Sequence, residues 1–206
     1  SGNTNVNEIY GSAHSSGTPV LSDCGVENEF FINDGSIKDP TDFDYSFAVI
    51  GDPQCIVEYA REMNSDKYLK RIYDYIIDNA DPKKIKHVFH LGDLVQTTWP
   101  YISGDVAKNK MYAEAELIRQ QIIKLDGVVD YSLIRGNHDP ADFYDEYFGV
   151  NSTKTGYASH IEDYYINSSN SVHYFTAGNL DYMVVTLDFG AGDPVLNWAS
   201  EVISEH

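Results

Sequence analysis

The chain has 206 residues, 42% of them hydrophobic, enough for a sizeable core in one large domain or in one domain with an appendage. Its 14 Lys and Arg stand against 32 Asp and Glu, a formal net charge of −18. Such a surface repels nucleic acid and anionic membranes, which argues against a nuclease, and no apolar run reaches the length of a membrane-spanning helix.

Residues 1–44 carry Gly, Ser, Asn and Thr, little periodicity, and turn signals at Asn33-Asp34-Gly35 and Asp39-Pro40. They read as a linker, an arm or the tail of a preceding domain, with Glu29-Phe30-Phe31-Ile32 able to add at a sheet edge. From Tyr45 the pattern becomes strand–helix–strand–helix–strand. The runs Tyr45–Ile50, Ile85–Leu91 and Val128–Ile134 are apolar, β-branched and ended by glycine, as buried strands are. Between the first two, residues 65–77 have helical spacing behind Ser65 as N-cap. Between the second and third, Val106 to Leu125 places Met111, Ala115, Ile118, Ile122 and Leu125 on one face, stopped at Asp126-Gly127. This alternation predicts βαβ units and a parallel sheet. Pro140 to Phe148 reads as a short helix with Asp139 at its N-cap. Val172–Thr176 and Tyr182–Leu187 flank Gly178-Asn179, a hairpin whose loop is expected to exceed the tightest type. Asp193-Pro194 starts a last helix that runs to His206, and the domain is expected to continue past it.

Three short segments sit just past the three strands: Gly51-Asp52-Pro53-Gln54, Gly92-Asp93 and Gly136-Asn137-His138-Asp139. In an open α/β sheet, ligands bind outside the carboxyl ends of the strands. Hard oxygen donors with one histidine beside them describe a metal site with an acid/base group. Alone, each segment is weak; the dipeptide Gly-Asp recurs at 104–105 and 192–193, where it reads as a plain turn. The weight lies in order and spacing, since gaps of about forty residues each admit a crossover helix between neighbouring parallel strands.

In this order the segments resemble the calcineurin-like metallophosphoesterase family, whose pattern runs Asp-x-His, Gly-Asp, Gly-Asn-His-Asp/Glu, a lone His, then Gly-His-x-His. The likeness covers roughly residues 45–206. It implies an α/β fold of two sheets in a sandwich flanked by helices (four layers, αββα), of which the first half is present. It implies two divalent or trivalent ions, Mn, Fe or Zn. Asp52 and Gln54 would bind one, Asp93 would bridge both, and Asn137 would bind the second. His138 would face the substrate as acid or phosphate stabiliser, oriented by Asp139. Two ions about 4 Å apart lower the pKa of water between them and hold a phosphate for in-line attack. The implied activity is hydrolysis of a phosphate ester, by a phosphatase or a phosphodiesterase.

Two departures matter. Gln54 stands where the family has histidine, and no Gly-His-x-His follows Asp139; the later histidines are His160, His173 and His206. The expectation is that this segment alone is inactive, with the remaining half of the domain supplied by a parent chain or another polypeptide. A rival reading is a binding or surface module that keeps the fold without a working metal centre. His87 and His90, at i and i+3 on one strand, face opposite sides and read as core or as support behind the site. Trp99 and Tyr101 line either the substrate pocket or a packed loop, and the tyrosines at 144, 147, 164 and 165 read as packing. Cys24 and Cys55 read as unrelated, with a disulfide open. Asn151-Ser152-Thr153 and Asn167-Ser168-Ser169 match the glycosylation acceptor pattern. A composition rich in Tyr, Asn, Ser and Asp and poor in Lys points to an extracellular or cell-surface protein, otherwise a cytoplasmic one.

Overall fold

A computed structural model describes residues 43–97 and 104–206. Cys24, the strand expected at Glu29–Ile32, most of the 1–44 segment, Trp99 and Tyr101 lie outside the described residues. A parallel sheet forms from β1 (Ser46–Ile50), β2 (Ile85–His90) and β3 (Asp130–Leu133), in the order β1-β2-β3. Ile50 lies opposite His90, and His90 opposite Leu133. The three strands therefore end together, as the sequence pattern predicts.

The crossover from β1 to β2 holds two helices rather than the one expected. Helix α1 (Gln54–Met63) buries Ile56, Val57 and Ala60. It begins so close behind β1 that the turn residues conceal its start. Asn64, in the left-handed region at φ 46°, closes it. Helix α2 (Lys67–Asn79) then starts behind Asp66, not Ser65, without a side-chain cap. Helix α3 (Asp105–Ile122) runs into a 3₁₀ turn ending at Leu125. Its Met111, Ala115, Ile118 and Ile122 are buried, with Leu125 after them, as one face. The Gly-Asp pairs at 104–105 and 192–193 are helix starts, with the glycine as N-cap, rather than plain turns.

A second, antiparallel sheet has the order β4-β5-β6, with β4 at Asp163–Tyr165, β5 at Asn167–Ala177 and β6 at Leu180–Thr186. β5 starts earlier than the apolar run suggests, because Ser168 to Ser171 are buried polar residues that satisfy themselves inside the fold. Ser171 Oγ, for instance, lies 2.7 Å from Thr186 Oγ1. The hairpin loop is shorter than expected. Ala177 pairs with Leu180, leaving Gly178 (φ 61°) and Asn179 to make the turn.

The two sheets meet through aromatic rings. His87 stacks on Phe175 with centroids 4.4 Å apart, and Phe47 meets Phe89 and Phe175 edge-on at 5.6 and 5.7 Å. On the opposite face of β2, His90 Nε2 lies 2.9 Å from the Tyr73 hydroxyl of α2. The two histidines thus point to opposite sides and both are core. Burial holds each well below the usual imidazole range, at about 3. Helix α4 (Ala141–Phe148) buries Tyr144 and Tyr147, whereas Tyr164 is exposed. Helix α5 (Asp193–Ser204) brings Trp198 to 5.8 Å from Tyr165. Among the described residues no helix is long and apolar enough to cross a membrane.

Candidate metal centre

Backbone pairing continues one residue past the strands: Leu91 N–H donates to Ile50 O at 2.9 Å, and Ile134 N–H to His90 O at 3.0 Å. The turns carrying Asp52, Asp93 and Asn137 therefore leave the sheet at one edge. The second and third are interlocked. Gly92 has φ 88°, and a Cβ there would come within 2.7 Å of Gly136 N and 2.8 Å of Ile134 O. A Cβ on Gly136 would overlap the carboxylate oxygen and the amide of Asp93. Both glycines are required by close approach of backbone to backbone.

Asp93 itself sits at φ 50°, a conformation that costs an L-residue roughly 1–2 kcal/mol. Strain of this kind persists where the surroundings over-determine the backbone, as they do here. Asp93 is 8% exposed, and its Oδ1 accepts the His138 backbone N–H at 2.9 Å. The amide of Gln54, in the first turn of α1, abuts the same carboxylate. With its nitrogen inward it donates to Asp93 Oδ2 at 3.3 Å and to Asp93 O at 3.2 Å. With its oxygen inward, oxygen would face oxygen, which a cation between them would stabilise. Asp52 is exposed on the turn after β1. Its carboxyl is pushed up by partial burial and by the charge of Asp93, against an opposing pull from His138. The three turns thus lie within each other's electrostatic reach. Asn137 is exposed at the tip of the third turn.

Asp139 does not have the role the sequence suggests. It neither caps α4, which starts after Pro140, nor orients the His138 ring. Its carboxylate, 1% exposed, accepts backbone N–H groups instead: Leu94 at 2.7 Å and Val95 at 3.2 Å on Oδ1, Gly136 at 2.9 Å on Oδ2. Burial pushes this carboxyl up to about 7 against the pull of the three amides. The His138 ring is placed by another group, with Nδ1 lying 3.3 Å from the Gln96 carbonyl.

Three supporting residues escape the sequence reading. Arg135 donates from Nη1 to Asp139 O at 2.7 Å and from Nη2 to Asp188 Oδ2 at 2.9 Å, tying the third turn to the end of β6. Gln96 supplies the carbonyl just described. Glu114, fully buried on α3, accepts hydrogen bonds from the segment after Asp93. A carboxylate within an apolar helix face is the one signal that could have drawn attention to it.

Among the described residues, no three His, Cys, Asp or Glu side chains form a group that could hold a metal ion. The donors at this edge are two carboxylates and two amides, a hard oxygen set that suits divalent cations such as Mg or Mn. Such a set fits a metal, and the crowding of Asp52, Gln54 and Asp93 gives a cation something to relieve.

Residues 45–201 match the family described as calcineurin-like phosphoesterase. The chain belongs to the calcineurin-like phosphoesterase family. The match spans every described strand and the three turns. The chain is also 24% identical over 139 residues to YvnB of Bacillus subtilis strain 168, a stretch covering 65% of this chain and 10% of that protein. The chain thus spans about a tenth of that relative's length. No solved structure matches it. Membership makes this a phosphoesterase fold of mixed α/β type, in a family of phosphoester hydrolases.

Proposed function

We propose that this domain hydrolyses a phosphate monoester or diester at the edge where the three turns converge. Asp93 carries the reading. It is buried and backbone-strained, with the Gln54 amide on one side and the His138 amide on the other. In this reading Asp52 and Gln54 would hold one cation, Asn137 a second, and Asp93 both. Imidazole ligands from outside the described residues would complete the set. When bound, the cations supply Lewis acidity toward the phosphoryl oxygens and lower the pKa of water.

The chain's own residues do the rest. A carbonyl only accepts, so contact with Gln96 O puts the proton of neutral His138 on Nδ1 and leaves Nε2 as the group that exchanges protons with substrate. Protonated at Nε2, the ring donates to the departing oxygen. Asp139 and Arg135 hold the third turn so that Asn137 and His138 keep their places. We also read helices α1–α3, the two sheets and α5 as four successive layers, and the composition as that of an exported protein.

The test is hydrolysis of p-nitrophenyl phosphate and its bis ester by the full-length protein with manganese, iron or zinc. Turnover abolished by chelation and restored by metal supports the reading; turnover indifferent to chelation overturns it. The rival reading, a non-catalytic module, draws on the absence of a three-residue His/Cys/Asp/Glu group among the described residues. It predicts no hydrolysis under any metal.

A further inference from the structure

We propose that Glu114 is a positioning residue for the active-site histidine, acting through the 96–97 peptide; this rests on reading His138 as the acid. The Glu114 side chain is fully buried, and four donors converge on it. Oε2 accepts the backbone N–H of Gln96 at 2.9 Å and of Thr97 at 2.7 Å. Oε1 accepts the Thr97 hydroxyl at 2.8 Å and Arg61 Nε at 2.9 Å. A buried carboxylate needs such compensation to stay charged, and Arg61 supplies the countercharge from α1.

The geometry of the peptide unit makes this more than a loop tie. In a planar trans peptide the C=O and the following N–H point in opposite directions. The Thr97 N–H is held by Glu114, and the Gln96 C=O of the same unit meets His138 Nδ1. One peptide plane is therefore clamped between a buried carboxylate and the imidazole, and its rotation would withdraw the carbonyl from the ring. Asp139 holds the preceding amides, Leu94 and Val95, so two buried carboxylates between them receive four consecutive N–H groups behind Asp93.

Glu114→Gln tests this in the full chain. Whichever way the new amide turns, its NH₂ meets an N–H donor, either Arg61 Nε or the two backbone amides, so the clamp loosens. Long-range ¹H–¹⁵N spectra of the metal-free protein should show neutral His138 as the Nδ1–H tautomer. In the variant the ring should shift toward the Nε2–H form. With manganese and p-nitrophenyl phosphate, kcat should fall about tenfold to a hundredfold while KM and bound metal stay within about twofold. Thr97→Val, which removes only the hydroxyl, should shift the tautomer in the same direction by less, and decides the matter if Glu114→Gln does not fold. An unchanged His138 signature in the folded variants overturns the proposal. If the tautomer shifts but neither Glu114→Gln nor His138→Ala alters kcat, positioning stands and the reading of His138 as the acid falls.

Discussion

The turn after β1 and the two turns after β2 and β3 are built differently, although all three leave the same sheet edge. The second and third are locked together by glycine contacts, by the His138 N–H bond to the Asp93 carboxylate and by the Asp139 carboxylate. The first carries Asp52 exposed, with its carboxyl raised by partial burial and by the charge of Asp93, and Gln54, whose amide abuts the carboxylate and the carbonyl of Asp93. One side of the candidate centre is thus preorganised by the protein, and in the proposed reading the other would be completed by a cation. Preorganisation of this kind is what fixes charge-stabilising groups at no cost during reaction.

The interlock of the second and third turns is most sensitive at Gly136. Gly136→Ala has to push the Asp93 turn away, and is expected to cost about 1–3 kcal/mol of stability and to abolish detectable turnover. Denaturant melts and the aryl phosphate assay check both; wild-type behaviour would mean the interlock is not needed.

His138→Ala should lower kcat by about a hundredfold, on the usual scale for acid–base groups, with metals retained. Loss of metal at unchanged rate per loaded site would make His138 a ligand instead. Gln54→Ala, on the looser turn, should weaken manganese binding about tenfold while leaving stability within about 0.5 kcal/mol, as surface changes usually do. A large drop in melting temperature would show that the first turn is as structural as the others.

Away from the site, His87, His90 and His173 sit buried between or behind the sheets, held at about 3, 3 and 4 by burial. Their folded-state values lie below the unfolded value, so the unfolded chain binds more protons as pH falls below about 6.5. Stability is fully present above that pH and is lost on acidification toward the folded values, by roughly 1.4 kcal/mol per pH unit for each histidine. Asp139, raised to about 7, opposes this with one proton of the reverse sign. Thermal melts between pH 7.5 and 5 should therefore show a falling midpoint. His87→Phe should flatten the slope; a pH-independent midpoint would contradict the burial of these rings.

The positions of β1 to β3, their parallel order and the convergence of the turns that carry Asp52, Asp93 and Asn137 were legible because glycine, β-branched runs and crossover spacing are local signals. The role of Asp139 was not. A sequence shows that a carboxylate follows His138, but not that three amides from two turns reach it first. Glu114 and Gln96 were hidden for the same reason: the contact lies between α3 and the Asp93 turn, and the Gln96 group involved is a backbone carbonyl that any residue possesses. Helix α1 was lost because its first residue, Gln54, belongs to the motif. The start of β5 was lost because serines and asparagines that bond one another in the interior look like loop.

The central claim is that Asp93 joins the two kinds of turn by holding cations for both. Metal content per chain in the full-length protein and its Asp93→Asn variant, measured after loading with manganese, tests it most directly. The account predicts two ions per chain in the wild type and nearly none in the variant, with activity lost alongside. Two ions retained per chain in Asp93→Asn would contradict it.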